Sequence, residues 1–287
     1  MIKKVLGKTG YEIAPVVFGG IINKDEAQED ANRYVAYAVD RGINFFDVAP
    51  AYGDAELRLG EALEPYRKNI FLACKTSRRD AEGAKEDLLE SLRTLRTDYF
   101  DLYQLHAICR ASDVEQAFAD GGAMETLLWA KKEGIIRKIG ITAHIEEHAL
   151  KCLDLYDFES VLFTMNWAHA LLHGNGVKLS EVIKARNIGL LCMKVHAHRM
   201  WLEGEKSPMS KMWYKYTDNG SPLSMAAMKY GFAMGGAAIV PPGYFEIFKY
   251  SLDVIDEVLA NPLSDAELDL LKTEAENVRG HELNLFY

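Results

Sequence analysis

The sequence predicts an α/β protein, a (β/α)8 TIM barrel whose bottom is plugged by an N-terminal β-hairpin, and three observations support this prediction. Short runs of apolar residues alternate along the chain with stretches in which apolar residues recur every three or four positions. The short runs are apolar at consecutive positions, which is typical of parallel strands covered by helices. Eight such runs are present, and eight strand–helix units close into a barrel.

The predicted elements follow one another in the order that this fold requires. Residues 4–13 contain a glycine-bearing turn between two short strands and predict the hairpin. The eight predicted strands are residues 16–19, 43–47, 70–75, 100–106, 136–142, 160–166, 188–194 and 237–241. Predicted helices include residues 27–40, 82–96, 124–133, 145–155, 180–186 and 222–234. Asp80 and Ser221 are suitable first residues for two of these helices.

Length and composition fit a single domain over residues 1–287. Of these residues, 49% are apolar and 26% are charged, which is ordinary for a globular protein with a substantial core. No linker or low-complexity segment divides the chain, and no run approaches the ~20 apolar residues of a membrane span. We therefore expect a cytoplasmic protein without a membrane partner.

Charge and cysteine content argue against other classes of protein. The formal net charge is −9 and no basic stripe offsets it, so we do not expect nucleic acid as a partner. The four cysteines are far apart and form no Cys-x-x-Cys pair, which indicates reduced thiols rather than a disulfide framework or a zinc or iron–sulfur site. They are Cys74, Cys109, Cys152 and Cys192. The sequence does not define the oligomeric state.

Four polar residues at the ends of successive predicted strands could together make a proton donor. They are Asp47, Tyr52, Lys75 and His106. A free tyrosine titrates near pH ~10, and a nearby cation such as Lys75 would favour its phenolate. Asp47 would keep Lys75 charged and oriented, and His106 would add a polar group under a carbonyl oxygen. One such residue alone is usually a turn, core or solvated residue.

These residues and their surroundings resemble the aldo-keto reductase family along nearly the whole chain. The matching segments are residues 6–10, 42–53, 98–106 and 239–243. In that family an Asp, a Tyr, a Lys and a His form the catalytic tetrad, and all four occur here in the same order. The resemblance identifies Asp47, Tyr52, Lys75 and His106 as that tetrad.

The resemblance implies that a nicotinamide cofactor transfers hydride to a small carbonyl compound, such as an aldehyde, a ketone or an oxidised sugar. The cofactor would be NADPH, with NADH possible, and would lie across the barrel mouth without a Rossmann fold. Tyr52 would protonate the carbonyl oxygen, Lys75 and Asp47 would tune Tyr52, and His106 would orient the substrate.

The resemblance also suggests cofactor contacts, although the sequence departs from the family pattern at several of them. Thr142 would replace the serine of the family's Gly-x-Ser-Asn, whose asparagine is lost here. Asn166 would contact the nicotinamide, and Lys194 would face the pyrophosphate. Gly243 and Lys249 follow the last predicted strand, and Lys249 would meet a 2′-phosphate.

Candidate substrate contacts are Trp167, His144 and Trp201. Trp201 belongs to a long predicted loop, residues 195–220, and such loops are often lids or binding loops. Its aromatic residues could stack on a substrate or form a small core of their own. A second predicted loop covers residues 107–122.

Histidines are concentrated on the same face, and two of the spacings occur in metal sites. They are His106, His144, His169, His173, His196 and His198. A metal-dependent hydrolase is therefore one alternative, although the chemistry of the resembled family needs no metal. A second alternative is a non-catalytic subunit that senses the cofactor. The intact tetrad favours an enzyme, and we expect no metal.

Overall fold

The structure, a computed structural model, describes residues 2–205, 207 and 210–285. In this part of the chain the strands are β1 (Lys4–Val5), β2 (Glu12–Ile13), β3 (Phe18–Gly19), β4 (Phe45–Asp47), β5 (Phe71–Thr76), β6 (Phe100–Ile108), β7 (Ile136–Ala143), β8 (Ser160–Thr164), β9 (Gly189–Met193), β10 (Ala197–Met200), β11 (Tyr214–Tyr216) and β12 (Ala238–Val240). The α-helices are α1 (Gln28–Asp40), α2 (Ala55–Leu63), α3 (Ala81–Thr94), α4 (Ala111–Phe118), α5 (Ala123–Lys132), α6 (Glu146–Leu155), α7 (Trp167–His173), α8 (Val177–Ala185), α9 (Pro222–Ala233), α10 (Phe245–Ala260) and α11 (Asp265–Asn277).

Eight strands form one parallel sheet in the order β12, β9, β8, β7, β6, β5, β4 and β3. The sheet closes on itself because Val16, just before β3, forms a parallel bridge with Ile239 of β12. The amide of Val17 donates to the carbonyl of Ile239 at 2.9 Å, and the amide of Ile239 donates to the carbonyl of Pro15 at 2.9 Å. The predicted (β/α)8 barrel is confirmed.

The N-terminal hairpin closes the end of the barrel at which the strands begin. The ring of Tyr11 stacks on Phe71, the first residue of β5, with centroids 4.3 Å apart. Gly7 has a φ of +48°, and a Cβ atom there would lie 2.3 Å from the amide nitrogen of Gly189 at the start of β9. Only glycine permits this approach, and the predicted plug is confirmed.

The core has an inner and an outer part. The inner cluster fills the barrel above the hairpin and includes Leu6, Ile13, Val17, Phe45, Ala73, Leu102, Leu162, Leu191 and Ala238. The outer cluster lies between the strands and the helices. Inward-facing apolar residues therefore fill the lower barrel, which leaves the inward positions at the carboxyl ends of the strands for polar groups.

Two segments predicted as loops contain regular structure. Residues 195–220 include the antiparallel pair β10–β11, although positions 206, 208 and 209 lie outside the described residues. Residues 107–122 include α4, whose first turn is capped because the Asp113 carboxylate accepts from the amides of Cys109 and Arg110, both at 2.9 Å. Helices α2, α7, α10 and α11 are also additional to the predicted set.

The described helices and cysteines allow two further statements. None of these helices is long and apolar enough to cross a membrane. All four cysteines are buried and carry free thiols, as the sequence predicted. Burial raises the pKa of both Cys152 and Cys192 to about 12, so these two side chains stay protonated.

Candidate active site

Asp47 and Lys75 reach the barrel mouth on neighbouring strands. β4 pairs with β5 so that Asp47 lies opposite Ala73, and Lys75 follows two residues later on β5. Side chains two residues apart on a strand share one face. Lys75 therefore points inward above Ala73, as Asp47 does above Phe45, and both lie at the end of the barrel where enzymes of this fold carry their active sites.

Tyr52 is brought to the same place by a short turn after β4. Pro50–Tyr52 form one turn of 3₁₀-helix, and Gly53 follows with φ 63° and ψ −124°. Glycine adopts this positive φ without the steric cost that a side chain would bring. Gly53 thus allows the chain to reverse into α2 while Tyr52 stays over the barrel mouth.

Lys75 is the centre of the site. Its Nζ atom donates to Asp47 Oδ2 at 2.5 Å, to the carbonyl oxygen of Val48 at 3.0 Å and to Tyr52 Oη at 3.4 Å. An ammonium group has three N–H donors, and these three oxygens use all of them. The side chains of Lys75 and Asp47 are 0% and 3% exposed, so water does not compete for these bonds.

The charge on Lys75 is maintained by its neighbours. Burial by itself would lower the pKa of Lys75, but the Asp47 carboxylate and the Tyr52 oxygen outweigh burial and raise this pKa above its ordinary value. Lys75 is therefore an ammonium at any pH at which the fold is expected to work. The predicted role of Asp47, to keep Lys75 charged, agrees with this geometry.

Lys75 lowers the pKa of Tyr52, as expected, but the pKa of this phenol still lies above its ordinary value. Burial raises the pKa of Tyr52, and the nearby charge of Lys75 offsets only part of that effect. The phenol consequently keeps its proton at neutral pH. This proton can be transferred to a stronger base than a phenolate, such as an oxygen that gains negative charge during a reaction.

His106 is held as a neutral imidazole beside Tyr52. Burial lowers the pKa of His106 well below its ordinary value, and the charges of Lys75 and Arg79 act in the same direction. Its Nδ1 atom lies 3.2 Å from the hydroxyl of Ser77. The His106 and Tyr52 rings are nearly perpendicular, with centroids 5.7 Å apart. A neutral imidazole in this position can hydrogen-bond to the same oxygen that Tyr52 faces.

Gln104 is a member of the site that the sequence analysis missed. Its Nε2 atom donates to Asp47 Oδ1 at 3.0 Å, so Gln104 and Lys75 hold one carboxylate oxygen each. Gly140 on β7 leaves room for Gln104, because a Cβ atom there would lie 3.2 Å from Gln104 Cγ. The sequence did contain a signal for Gln104. It lies two residues before His106 on β6, so the two side chains share a face of the strand.

These residues form one side of a cleft of about 700 Å³ at the carboxyl ends of the strands. Eight predicted site residues line it, namely Asp47, Tyr52, Lys75, His106, Thr142, His144, Lys194 and Gly243. Small-molecule sites usually have volumes of ~300–1,000 Å³, and this cleft falls within that range. The structure thus brings the tetrad together with half of the other predicted contacts.

The cleft carries more positive than negative charge. Its lining contains Lys24, Lys194 and Lys211 in addition to Lys75, and of these Lys24 and Lys211 were not predicted. Among the described residues the lining has one carboxylate, that of Asp47, which is paired with Lys75, and Lys211 is paired with Glu26 outside the lining. An anionic ligand therefore fits this lining, although the protein as a whole is acidic.

The segment between β10 and β11 contacts the loops that follow β3 and β12. Lys211 Nζ donates to the carbonyl of Ile22 at 2.9 Å and to Glu26 Oε1 at 2.5 Å, in the connection between β3 and α1. The amide of Lys211 donates to the Tyr244 hydroxyl at 2.6 Å, just before α10. These bonds connect the segment to two other loops of the barrel mouth.

Thr142 and His144 present polar groups from the end of β7. The hydroxyl oxygen of Thr142 accepts from the amide of Ala107 at 2.6 Å, and its own hydrogen remains available as a donor. His144 Nδ1 lies 2.7 Å from the Thr164 hydroxyl. Burial, together with the charge of Lys194, lowers the pKa of His144 to about 3, so this second imidazole of the cleft is also neutral.

Asn166 does not line the cleft but supports its wall. Its Oδ1 atom accepts from the amide of His169 and so caps α7. Its Nδ2 atom donates to the carbonyls of Lys194 and Ala197 at 3.2 and 2.8 Å. These bonds use the side-chain amide that was predicted to contact the nicotinamide.

Three other predicted contacts also lie outside the cleft lining. Trp167, the first residue of α7, is fully buried in the outer core, so it is a packing residue and not a wall of the cleft. Trp201 follows β10 and does not reach the cleft. Lys249 is exposed on α10, and the structure brings Lys24 and Lys211 rather than Lys249 to the cleft.

The remaining histidines each have a separate partner. The Nε2 atoms of His169, His173, His196 and His198 lie 2.7, 3.0, 3.1 and 2.7 Å from the Leu283 carbonyl, Glu282 Oε1, Ser251 Oγ and Glu274 Oε1, respectively. Within residues 2–205, 207 and 210–285, no three His, Cys, Asp or Glu side chains form a group that could hold a metal ion.

Known proteins of one family match this chain. The model of the Aldo/keto reductase family matches residues 15–230. An aldo-keto reductase from Mycobacterium ulcerans is 32% identical over 257 residues, covering 88% of this chain and 86% of that protein. L-galactose dehydrogenase from Arabidopsis thaliana is 29% identical over 244 residues, covering 78% of this chain and 73% of that protein.

Solved structures give the same fold. The holo form of an aldo-keto reductase from Bacillus halodurans has a TM-score of 0.73 and 21% identity, and the match covers 100% of this chain and 98% of that one. The chain belongs to the aldo/keto reductase family of oxidoreductases.

Proposed function

We propose that this protein reduces the carbonyl group of a small molecule to an alcohol with NAD(P)H, and that Tyr52 is the proton donor. The observation that carries the proposal is the contact of the buried Lys75 ammonium with both Asp47 Oδ2 and Tyr52 Oη. Transferring such charges from water costs roughly several kcal/mol per ion, so stability alone is a poor reason to keep them at a barrel mouth. Membership of the family supports the class of reaction.

The residues of the cleft fit a nicotinamide dinucleotide in charge and in size. Lys24 and Lys211 would face its phosphates, the Thr142 hydroxyl would bond a polar group of the nicotinamide, and Gly243 would border the phosphates. When bound, the cofactor supplies the hydride. We infer a preference for NADPH from the excess of lysines. Lys249 is exposed and lies outside the cleft lining, so its predicted role at the 2′-phosphate is not part of this proposal.

The chain's own residues perform the proton transfer. Tyr52 donates its proton to the substrate oxygen as that oxygen becomes negative, and the ammonium of Lys75 stabilises the phenolate that remains. Asp47 keeps Lys75 charged, and the neutral imidazole of His106 fixes the direction of the oxygen. General acid catalysis of this kind is typically worth ~10²–10⁴ in rate.

A panel of aldehydes, ketones, quinones and oxidised sugars tests the reaction class. Purified protein should oxidise NADPH, and more slowly NADH, in step with formation of the alcohol detected by mass spectrometry. Binding of NADPH without turnover of any compound would favour the cofactor-sensing alternative and contradict the proposal.

A chelator separates the reductase from a metal-dependent hydrolase. Since the proposed chemistry uses the hydride of the cofactor and the side chains of Asp47, Tyr52, Lys75 and His106, and no metal ion, chelator-treated protein should reduce its substrate as fast as untreated protein. Loss of activity on chelation, with recovery when zinc or iron is returned, would contradict the proposed mechanism.

A further inference from the structure

Strand β6 is irregular at the point where His106 leaves it. Between its pairs with Ile141 and Ala143 of β7, β6 has two residues, His106 and Ala107, where β7 has only Thr142. Two residues against one make a β-bulge, and bulges next to active sites redirect side chains. The bulge therefore sets the direction in which the His106 side chain leaves the strand.

The backbone of this bulge is strained at Ala107. Its φ is +51°, in the left-handed region that a residue with a side chain rarely adopts. Such conformations persist only where the surrounding groups hold them, and they concentrate at functional sites. One of these groups is Thr142, whose Oγ1 atom accepts from the Ala107 amide at 2.6 Å. The carbonyl groups of the bulge need partners as well.

Arg79 is the partner of both bulge carbonyls. Its Nη2 atom donates to the carbonyl oxygen of His106 at 2.7 Å and to that of Ala107 at 3.2 Å. Its Nε atom donates to Asp113 Oδ1 at 3.3 Å, in the first turn of α4. The side chains of Arg79 and Asp113 are 12% and 18% exposed, so water competes little for these bonds. One guanidinium thus holds the bulge and is itself held by α4.

A purely structural role for Arg79 would be to anchor α4. The ion pair with Asp113 would be enough for that role, because it links the connection between β5 and α3 to α4. The two carbonyl bonds, however, go to the residues of the bulge, and the shorter one goes to His106 itself. These bonds favour a role for Arg79 in fixing the position of His106.

The ring of His106 is held by the same connection. Its Nδ1 atom lies 3.2 Å from the hydroxyl of Ser77, which lies two residues before Arg79. Arg79 therefore fixes the backbone of His106, and Ser77 contacts its imidazole. With both held by one short segment, the ring has a defined direction at the barrel mouth.

We propose that Arg79 is a positioning residue for His106, which holds the carbonyls of the β6 bulge and so directs the imidazole at the substrate oxygen. This inference rests on the proposed carbonyl reduction, in which His106 orients that oxygen. His106 lines the cleft, whereas Arg79 is not part of its lining. Arg79 therefore acts through His106 and not by touching the substrate or the cofactor.

A double-mutant cycle tests whether Arg79 acts through His106. The readout is kcat/KM for 4-nitrobenzaldehyde, a neutral aldehyde, with NADPH. Arg79→Met should lower kcat/KM by about tenfold to a hundredfold, as a misplacement of about 1 Å can do, but by less than about twofold in a His106→Gln background. An equal loss in both backgrounds, or no loss in either, would overturn the proposal.

Arg79→Lys is the conservative variant. It keeps the charge and can still donate to a carbonyl, but it lacks the planar fork of the guanidinium. Its kcat/KM should fall by only about threefold to tenfold, and this loss should also disappear in the His106→Gln background. Arg79→Lys thus carries the same comparison if Arg79→Met does not fold.

Arg78→Met is the matched control. Arg78 is the neighbouring cation, its side chain is 60% exposed, and its Nε atom lies 3.8 Å from Asp87 Oδ1. Arg78→Met should change kcat/KM less than about twofold, because a weak surface ion pair contributes little. A loss equal to that of Arg79→Met would show that the charge of this segment, and not the carbonyl bonds, is required, and would overturn the proposal.

Nuclear magnetic resonance of ¹⁵N-labelled histidine gives a readout that does not depend on turnover. A neutral imidazole held as one tautomer gives two well separated ring-nitrogen signals, and exchange between tautomers brings them together. The His106 signals, assigned by their loss in His106→Gln, should be well separated in the wild type and Arg78→Met and closer together in Arg79→Met. Unchanged His106 signals in Arg79→Met would overturn the role of Arg79, whether or not the protein reduces carbonyls.

Discussion

Lys75 is buried and Lys194 is half-buried at the barrel mouth, and their pKa values move in opposite directions. Burial favours the neutral amine in both, but the Asp47 carboxylate raises the pKa of Lys75 above its ordinary value. Lys194 contacts aromatic rings instead, and burial lowers its pKa to about 7. A buried lysine is therefore permanently charged or readily neutralised according to whether a carboxylate accompanies it.

The two lysines also belong to two sides of the cleft with different sequence character. The side formed by β4, β5 and β6 carries the complete tetrad, held by bonds between neighbouring strands. The side formed by β9 and the β10–β11 segment departs from the family pattern and depends on contacts between distant parts of the chain. We expect the first side to define the class of reaction.

The largest difference in kcat is expected between the Lys75→Met and Lys194→Met variants, measured with a neutral carbonyl substrate. Removing Lys75 takes away the cation that stabilises the Tyr52 phenolate, so kcat should fall by about a hundredfold or more. Lys194→Met should change kcat less than about threefold, because the Lys194 ammonium contacts the rings of Trp213 and Tyr214 and not the Tyr52 hydroxyl. Steady-state kinetics on the same carbonyl substrate measures both effects.

Folding must be checked in this pair. Lys75→Met leaves the Asp47 carboxylate buried without its cation, which costs about 3–5 kcal/mol of stability when the charge cannot move to water. Thermal unfolding followed by circular dichroism should show a lowered but cooperative transition. Similar losses of kcat in two folded variants would break the distinction between the two lysines.

Asp47→Asn should make Lys75 behave like Lys194. Without the carboxylate, burial is no longer outweighed, so the pKa of Lys75 should fall from above its ordinary value to somewhere near neutrality. The ammonium form is present below that pKa and lost above it. The kcat of Asp47→Asn should therefore drop about tenfold as pH rises from ~6 to ~9, whereas the wild type stays flat.

The protonation state of His106 does not change during this pH test. Because its pKa lies well below the ordinary value, His106 stays neutral across the same range and adds no inflection near pH ~6.5. Identical pH profiles for Asp47→Asn and the wild type would show that Asp47 does not control the charge of Lys75.

The smallest effect is expected for Lys249→Met. Lys249 is exposed on α10 and outside the cleft lining, whereas Lys24 lines the cleft. Lys24→Met should weaken NADPH about tenfold, the usual effect of losing one charge-assisted bond, and Lys249→Met less than about twofold. Fluorescence titration of both variants with NADPH and NADH measures this. A tenfold loss for NADPH alone in Lys249→Met would restore the prediction made from the sequence.

The sequence predicted those parts of the site whose positions depend on short-range sequence patterns. Strand ends place Asp47, Lys75 and His106 on one edge, and the spacing of residues 42–53 carries Tyr52 with them. Trp167 was misplaced because the cap formed by Asn166 directs the chain into α7 and the indole into the core. Lys24 and Lys211 were missed because their positions depend on how the loops of the mouth fold over one another, which no local pattern encodes.

The net effect on the Tyr52 pKa could not be obtained from residue types. Burial raises the pKa of Tyr52, and the contact with Lys75 at 3.4 Å lowers it. In the structure the effect of burial is the larger. The helix starts predicted at Asp80 and Ser221, by contrast, depend on local sequence, and their side chains cap α3 and α9 by accepting from the amides of Gly83 and Ser224.

The most direct test of the account compares Tyr52→Phe with the wild type on one reduced substrate. The substitution removes the hydroxyl that donates the proton and leaves the ring in place. We predict that kcat falls by about a thousandfold, within the range of general acid catalysis, while the dissociation constant of NADPH changes less than about threefold. A Tyr52→Phe enzyme that keeps most of the wild-type kcat would contradict the assignment of Tyr52 as the proton donor.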